Sequence, residues 1–175
     1  MAVARDNGSE PMSSRVRVII NVASSKIKPP FFTEISESVR LPENYTSYKT
    51  PIATLAAHSN IDAPDLYFEL VKGQTEQTNS DETFRINERG NSVDIHAAKA
   101  LDYEKVTQYS LTIRVKNEAG VANENVLIVN VEDVNDEIPT FMAVDGGSVL
   151  ENSAASTFVL RVQATDRDAT YPNNW

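Results

Sequence analysis

The acidic stretch that follows a hydrophobic run near residue 130 contains the side chains best suited to chemistry. Four carboxylates and one amide lie within six residues: Glu132, Asp133, Asn135, Asp136 and Glu137. Like charges at this spacing repel each other unless a cation lies among them, and carboxylate and amide oxygens are the ligands of hard cations such as calcium. An EF-hand is disfavoured because its loop needs glycine at the sixth position, where this sequence has Ile138. The alternative is a solvated acidic surface beside a turn.

The same stretch marks a boundary between two β-rich segments. Residues 126–131 are rich in β-branched side chains and indicate a strand. Pro139 cannot donate a ladder hydrogen bond where the next strand would begin. We therefore interpret residues 133–141 as a linker between domains.

Composition narrows the class of protein. A hydrophobic content of 41% over 175 residues is enough for a core. The net charge of -9 argues against nucleic acid or an anionic membrane as the main partner and is compatible with bound cations. The absence of cysteine does not fix the compartment. With no signal-peptide pattern at Met1 and no membrane-spanning apolar run, we expect an interior piece of a longer protein.

The sequence repeats itself at a period suited to tandem domains. Asn21 matches Asn130, and Pro30 and Phe32 match Pro139 and Phe141, each at an offset of 109 positions. This period is too long for a solenoid repeat. We predict a C-terminal fragment of one domain at 1–28, a complete domain at 29–136 and an N-terminal fragment of another at 137–175.

The complete domain has the pattern of an all-β protein. Seven strands are predicted, at 34–40, 51–57, 66–71, 84–87, 92–96, 109–116 and 123–131. Residues 109–115 alternate strictly, with apolar side chains at the odd positions. Seven short strands without a helical period predict an antiparallel Greek-key sandwich. The flanking fragments cannot close a core unaided, so we expect them to be poorly ordered or to pair in non-native ways.

Enzymatic chemistry is disfavoured. His58 and His96 are far apart in the sequence, and no cysteine is present to complete a zinc site. Serine, aspartate and histidine occur without a nucleophile elbow or a strand-turn-helix setting. We therefore expect a protein without catalytic activity.

Taken in order and spacing, these motifs resemble the extracellular repeats of the cadherin superfamily over nearly the whole chain. The residues 133–137 with Pro139 and Phe141 are similar to the family's linker. The segments 42–44 (Pro-Glu-Asn), 101–104 (Leu-Asp-Tyr-Glu) and 166–168 (Asp-Arg-Asp) are similar to its other acidic motifs. The resemblance implies a seven-stranded, immunoglobulin-like sandwich in tandem repeats.

The resemblance also implies a set of calcium ligands around the linker at residues 133–141, which we call the lower linker. They are Glu43, Asp102, Glu104, Asp133, Asn135, Asp136, Asp166 and Asp168. Three Ca²⁺ ions, the usual number per linker in the family, would neutralise most of this charge and join two domains into a rod. Asn173 could add a backbone carbonyl, and one further acidic ligand is expected beyond Trp175.

The upper linker, residues 23–30, departs from the family pattern. It has no acidic residue and carries Lys26 and Lys28. His58, Ser59 and Asn60 stand where paired aspartates are expected, and Asn117 stands where the preceding fragment keeps Asp6. We expect this linker to bind no calcium and to bend or flex. The alternative is that Asn60, Asp62 and backbone carbonyls still hold one ion.

The implied function is a calcium-binding, non-enzymatic segment of a cell-adhesion ectodomain at the extracellular face of the plasma membrane. Its partners would be other repeats of the same chain and cadherin ectodomains in cis or trans, with no nucleic acid and no small-molecule substrate. A transmembrane segment elsewhere in the parent protein would supply the membrane link. Sequons at Asn7 and Asn44 leave glycosylation open. The alternative is a calcium-independent fibronectin- or immunoglobulin-type spacer or ligand-binding receptor segment.

Overall fold

The computed structural model describes residues 2–18, 28–60, 65–143 and 146–170. Within these ranges the chain forms twelve β-strands and a single 3-10 turn at Glu76–Thr78. The strands are β1 (Ala2–Arg5), β2 (Ser13–Val16), β3 (Phe31–Glu34), β4 (Ser38–Pro42), β5 (Ala53–His58), β6 (Leu66–Val71), β7 (Phe84–Arg89), β8 (Ser92–Ala97), β9 (Gln108–Asn117), β10 (Ala122–Glu132), β11 (Thr140–Phe141) and β12 (Ala164–Thr165).

The complete domain is a sandwich of two four-stranded sheets. One sheet has the order β4-β10-β9-β6 and the other β3-β5-β8-β7. Both contribute to one hydrophobic core, in which Leu55 and Ile95 of one sheet and Leu111, Ile113 and Val129 of the other are fully buried. The predicted all-β sandwich is confirmed.

Strand β9 shows why the pattern was readable in the sequence. Its burial alternates from Tyr109 to Asn117, with every odd position buried. It lies between β10 and β6 and pairs antiparallel with both. Since successive side chains of a strand point to opposite faces, a central strand covered on one face must alternate in polarity.

The first predicted strand, 34–40, is wrong as a single element. The structure has β3 and β4 in its place, and they belong to different sheets: β3 pairs antiparallel with β5, and β4 pairs parallel with β10. The register of β3 shifts between Phe32 and Glu34, where the chain leaves the first sheet. This crossing carries the chain to the end of β10 and so brings Glu43 beside Glu132, whose carbonyl accepts a 3.0 Å bond from the Glu43 N–H.

The flanking pieces form small paired units. β1 and β2 make an antiparallel hairpin, and β11 pairs antiparallel with β12. All residues from 2 to 18 are exposed, in agreement with the expectation that this piece cannot close a core. The sequence of residues 15–22 also predicts a strand, of which only the start is described, in β2. The upper-linker residues 23–27, Asp62, Asn173 and Trp175 lie outside the described residues.

We expect Ile113→Ala to lower the free energy of unfolding by about 2–5 kcal/mol, because Ile113 is fully buried between the sheets. Urea unfolding at fixed calcium concentration measures this loss. Val126→Ala on the adjacent strand is the matched control, since Val126 is 43% exposed. Equal losses in the two variants would contradict the placement of the core.

Candidate metal centre

The carboxylate of Glu43 organises the lower end of the complete domain. Glu43 is only 4% exposed, directly after β4. Its Oε2 accepts a 2.7 Å hydrogen bond from the Tyr103 N–H, and its Oε1 accepts one of 2.7 Å from the Val134 N–H. Two backbone donors thus fix the side chain and join three segments that are distant in the sequence.

Five of the predicted ligands come together in two groups that share one member. Oxygens of Glu43, Glu104 and Asp136 lie within 4.8 Å of one another, and so do oxygens of Glu104, Asp133 and Asp168. Glu104 belongs to both groups. The structure therefore brings together the acidic motifs at 42–44 and 101–104, the linker at 133–141 and the motif at 166–168 of the following fragment.

The donor set fits hard cations. Every grouped atom is a carboxylate oxygen, which is the chemistry of calcium sites. Glu104 Oε1 and Asp168 Oδ2 are buried and accept no hydrogen bond from the described residues. A buried charged oxygen without a partner is unfavourable, and a cation between the two groups would satisfy both atoms.

The electrostatics of Glu104 agree with this arrangement. Burial raises the pKa of its carboxyl above the ordinary value, and the charges of Glu43, Asp133 and Asp136 raise it further. The cluster therefore opposes its own ionisation in the absence of a cation.

Three predicted ligands lie outside the two groups. Asp102 pairs with the ammonium of Lys105 and also accepts the Lys105 backbone N–H at 2.9 Å. Asp166 accepts the Asp168 N–H at 3.1 Å, so it holds the loop that presents Asp168. Asn135 is exposed.

Several residues at this centre had no readable signal in the sequence. The Thr170 N–H donates to Asp133 Oδ2 at 2.8 Å, and the Thr170 hydroxyl contacts the same oxygen. The Glu137 N–H donates to Asp168 Oδ1 at 3.3 Å, and Arg167 approaches Glu137 at 3.7 Å. Most of these hydrogen bonds come from main-chain N–H groups, which leave no signal in the sequence, so only the fold reveals them.

The fold and this acidic junction define the class: tandem β-sandwich repeats with clustered carboxylates at one end. A family model described as Cadherin domain matches residues 37–132, more than half of the chain. The chain therefore belongs to the cadherin family, and the expected resemblance is confirmed. Cadherin repeats are non-enzymatic modules, which agrees with the expectation of no catalytic activity.

Two curated relatives illustrate the similarity. Neural-cadherin of Drosophila melanogaster is 35% identical over 99% of this chain and 6% of its own length. Protocadherin Fat 4 of Homo sapiens is 32% identical over 95% of this chain and 3% of its own length. The chain thus spans a small part of these relatives.

Solved structures show the same architecture over almost the whole chain. Mouse cadherin-23 EC22-24 gives a TM-score of 0.70 at 28% identity and covers 98% of this chain and 54% of that one. The protocadherin gammaB7 EC3-6 cis-dimer structure gives a TM-score of 0.70 at 25% identity and covers 98% of this chain and 39% of that one.

In the described ranges, no helix has the length and apolarity needed to span a bilayer.

The raised pKa of Glu104 predicts a pH dependence in chelator. A carboxyl whose folded-state pKa exceeds its unfolded value binds more protons in the native state, so its contribution to stability falls as pH rises between the two values. From about pH 4.5 upward, we expect the wild-type chain to lose stability relative to Glu104→Gln, by about 1.4 kcal/mol per unit of pKa shift.

Urea unfolding of both proteins between about pH 4.5 and 7.5 measures this difference. Glu118→Gln, on an exposed turn, is the control and should follow the wild type. Parallel curves for wild type and Glu104→Gln would contradict the prediction.

Proposed function

We propose that this chain is a segment of a cadherin ectodomain in which calcium stiffens the junction between two repeats. The calcium would bind at the acidic centre, by which we mean the two carboxylate groups formed by Glu43, Glu104, Asp133, Asp136 and Asp168. The observation that carries the proposal is the sharing of Glu104 between two carboxylate groups. Glu104 would supply ligand oxygens to both groups, so that cations bound there would depend on the same carboxylate. The buried oxygens of Glu104 and Asp168 without hydrogen-bond partners support the same conclusion.

The chain's own residues supply the mechanical link. Glu43 and Glu104 belong to the complete repeat, Asp133 and Asp136 to the linker, and Asp168 to the following piece. A cation bound by all three parts would couple them, because carboxylates that repel one another when bare would then attract a common charge. This supports a boundary at the linker, near residue 136, within the proposed division into 1–28, 29–136 and 137–175.

Asp102, Asn135 and Asp166 would complete the ligand set when the ions bind. Asp102 would have to exchange the Lys105 ammonium for a cation of higher charge. Asn135 is exposed in the linker, and Asp166 already orients the Asp168 loop. Their joining would bring the number of ions toward the three proposed for this linker.

The upper linker, residues 23–30, is proposed to be calcium-free and to act as a bend or flexible joint. Both acidic groups found in the described residues lie at the lower end of the repeat. At the upper end Asn60, Asn117 and Lys28 offer no carboxylate, and the described carboxylates there, Asp65 and Glu118, are exposed and belong to neither group.

The wider setting follows from family membership. We propose a position on the extracellular face of the plasma membrane, with neighbouring repeats of the same chain as the main partners. Cadherin ectodomains in cis or trans are the proposed adhesion partners, and one similar structure, that of protocadherin gammaB7 EC3-6, is a cis dimer. Homophilic binding and glycosylation at the exposed Asn7 and Asn44 belong to the same proposal. The family match replaces the fibronectin- or immunoglobulin-type alternative.

We expect the thermal unfolding midpoint to rise by on the order of 10 °C between chelator and ~10 mM calcium, given affinities of ~0.1–1 mM for extracellular modules. Asp136→Ala should largely lose this response while still folding, because Asp136 is exposed and makes one of the two groups. Differential scanning calorimetry provides the measurement.

Glu118→Ala is the matched control, since it removes a carboxylate from an exposed turn outside both groups. It should keep the full calcium response. A wild-type midpoint that does not change with calcium would refute the proposed function.

A further inference from the structure

The segment 28–30 lies where the chain enters the complete repeat, just before β3 and at the end opposite to the acidic centre. Pro29 and Pro30 have no backbone N–H, so these residues offer only carbonyl acceptors. The ring of Pro30 is fully buried. Carbonyls of a segment anchored in this way need donors from elsewhere in the fold.

Three asparagine side chains supply those donors. Asn117 Nδ2 donates to the Lys28 carbonyl at 3.2 Å, and Asn60 Nδ2 donates to the Pro29 carbonyl at 2.6 Å. Asn123 Nδ2 donates to the Pro30 carbonyl at 3.2 Å. Three consecutive carbonyls are thus each held by one amide. We call this set of three asparagines and three carbonyls the amide clamp.

The clamp draws on both sheets. Asn60 follows the end of β5, in the sheet that contains β3. Asn117 is the last residue of β9 and Asn123 is the second residue of β10. Both strands lie in the opposite sheet. The entering chain is therefore tied across the sandwich and not only to its β3 partner strand.

The orientation of two of the amides is fixed by their oxygens. Asn117 is 2% exposed, and its Oδ1 accepts the Val121 N–H at 3.1 Å. Asn123 Oδ1 accepts the Glu124 N–H at 2.9 Å. Because these oxygens already face N–H groups, the NH₂ groups must be the atoms that face the carbonyls.

A carboxylate could not take the same place without a cation. Aspartate at position 117 would set an oxygen against the Lys28 carbonyl oxygen, and two acceptors repel unless a positive group lies between them. The hairpin itself does not demand the amide, because Asp6 occupies the equivalent turn between β1 and β2. Its Oδ1 accepts the Gly8 and Met12 N–H groups at 3.1 Å each.

We propose that the amide clamp is an ion-independent lock that takes over at the upper end of the repeat the role that a cation serves at the lower end. It fixes the entry of β3 to both sheets by hydrogen bonds that are indifferent to calcium. The repeat then has one end whose geometry depends on calcium and one end whose geometry does not. The clamp itself does not depend on the acidic centre, whereas the contrast between the two ends rests on the proposed calcium site. Because the clamp holds residues 28–30 of the upper linker, the proposed bend or flexible joint is restricted to the residues before them.

The test is substitution of the clamp amides by carboxylates in the full chain, in chelator. Asn117→Asp keeps the acceptor for the Val121 N–H and replaces the donor to Lys28, so the unfolding midpoint should fall by about 4–8 °C. Asn60→Asp should give a smaller fall with the fold retained, because Asn60 is exposed. Asn91→Asp, on the exposed turn between β7 and β8, adds the same charge and should leave the midpoint unchanged.

A second measurement follows the clamp directly. In ¹⁵N-labelled wild type, the side-chain NH₂ signals of Asn60, Asn117 and Asn123 should keep their chemical shifts between chelator and ~10 mM calcium, with slow hydrogen exchange at the buried Asn117. The proposal is overturned if Asn117→Asp and Asn60→Asp cost no more than Asn91→Asp. It is also overturned if the three amide signals move with calcium as much as signals from the acidic centre.

Discussion

The two backbone hydrogen bonds to Glu43 are the constraint on which the lower end of the repeat depends. They hold one buried carboxylate against the mid-domain turn at Tyr103 and the linker at Val134. The same two bonds hold the segments that carry Glu104 and Asp136 close to Glu43, because Tyr103 precedes Glu104 and Val134 lies two residues before Asp136. Burial is the first cause of the raised pKa of Glu104, and the repulsion from Glu43, Asp133 and Asp136 that adds to it follows from an anchoring that uses no charge of opposite sign.

The two ends of the repeat solve the same problem with opposite chemistry. At each end a segment without regular structure must be held against the strands and turns around it. The lower end gathers carboxylate acceptors, for which we propose a cation as the partner. The upper end opposes the acceptors of residues 28–30 with amide donors, which need none. At Asn117 the two solutions differ by one atom, because its amide nitrogen donates to the Lys28 carbonyl where an aspartate oxygen could only accept.

The sequence allowed the sandwich, its core alternation and the five carboxylates that the fold groups together to be predicted, because each depends on local pattern or on motifs with fixed spacing. The separation of β3 from β4 could not be predicted, because the segment between them, residues 35–37, includes no glycine or proline to mark a break. Nor did the sequence show the donors of Tyr103, Val134 and Thr170, which every residue except proline possesses. From the sequence, Asn60 and Asn117 stand where carboxylates are expected, and Asn60 is an alternative ligand, but neither is predicted to be a hydrogen-bond donor. Their role as donors depends on where Pro29 and Pro30 fold.

The crossing of the first strand between sheets also determines how the repeat would carry tension. β4 lies near the entry of the chain, β10 near its exit, and the two run parallel over five paired residues from Ser38 to Pro42. A pull applied at opposite ends of two parallel neighbours slides one along the other, so all the hydrogen bonds between them are loaded together. An antiparallel pair pulled from adjacent ends would instead open one bond at a time. The parallel pairing therefore makes the repeat resistant to force along its length, whatever ions are present.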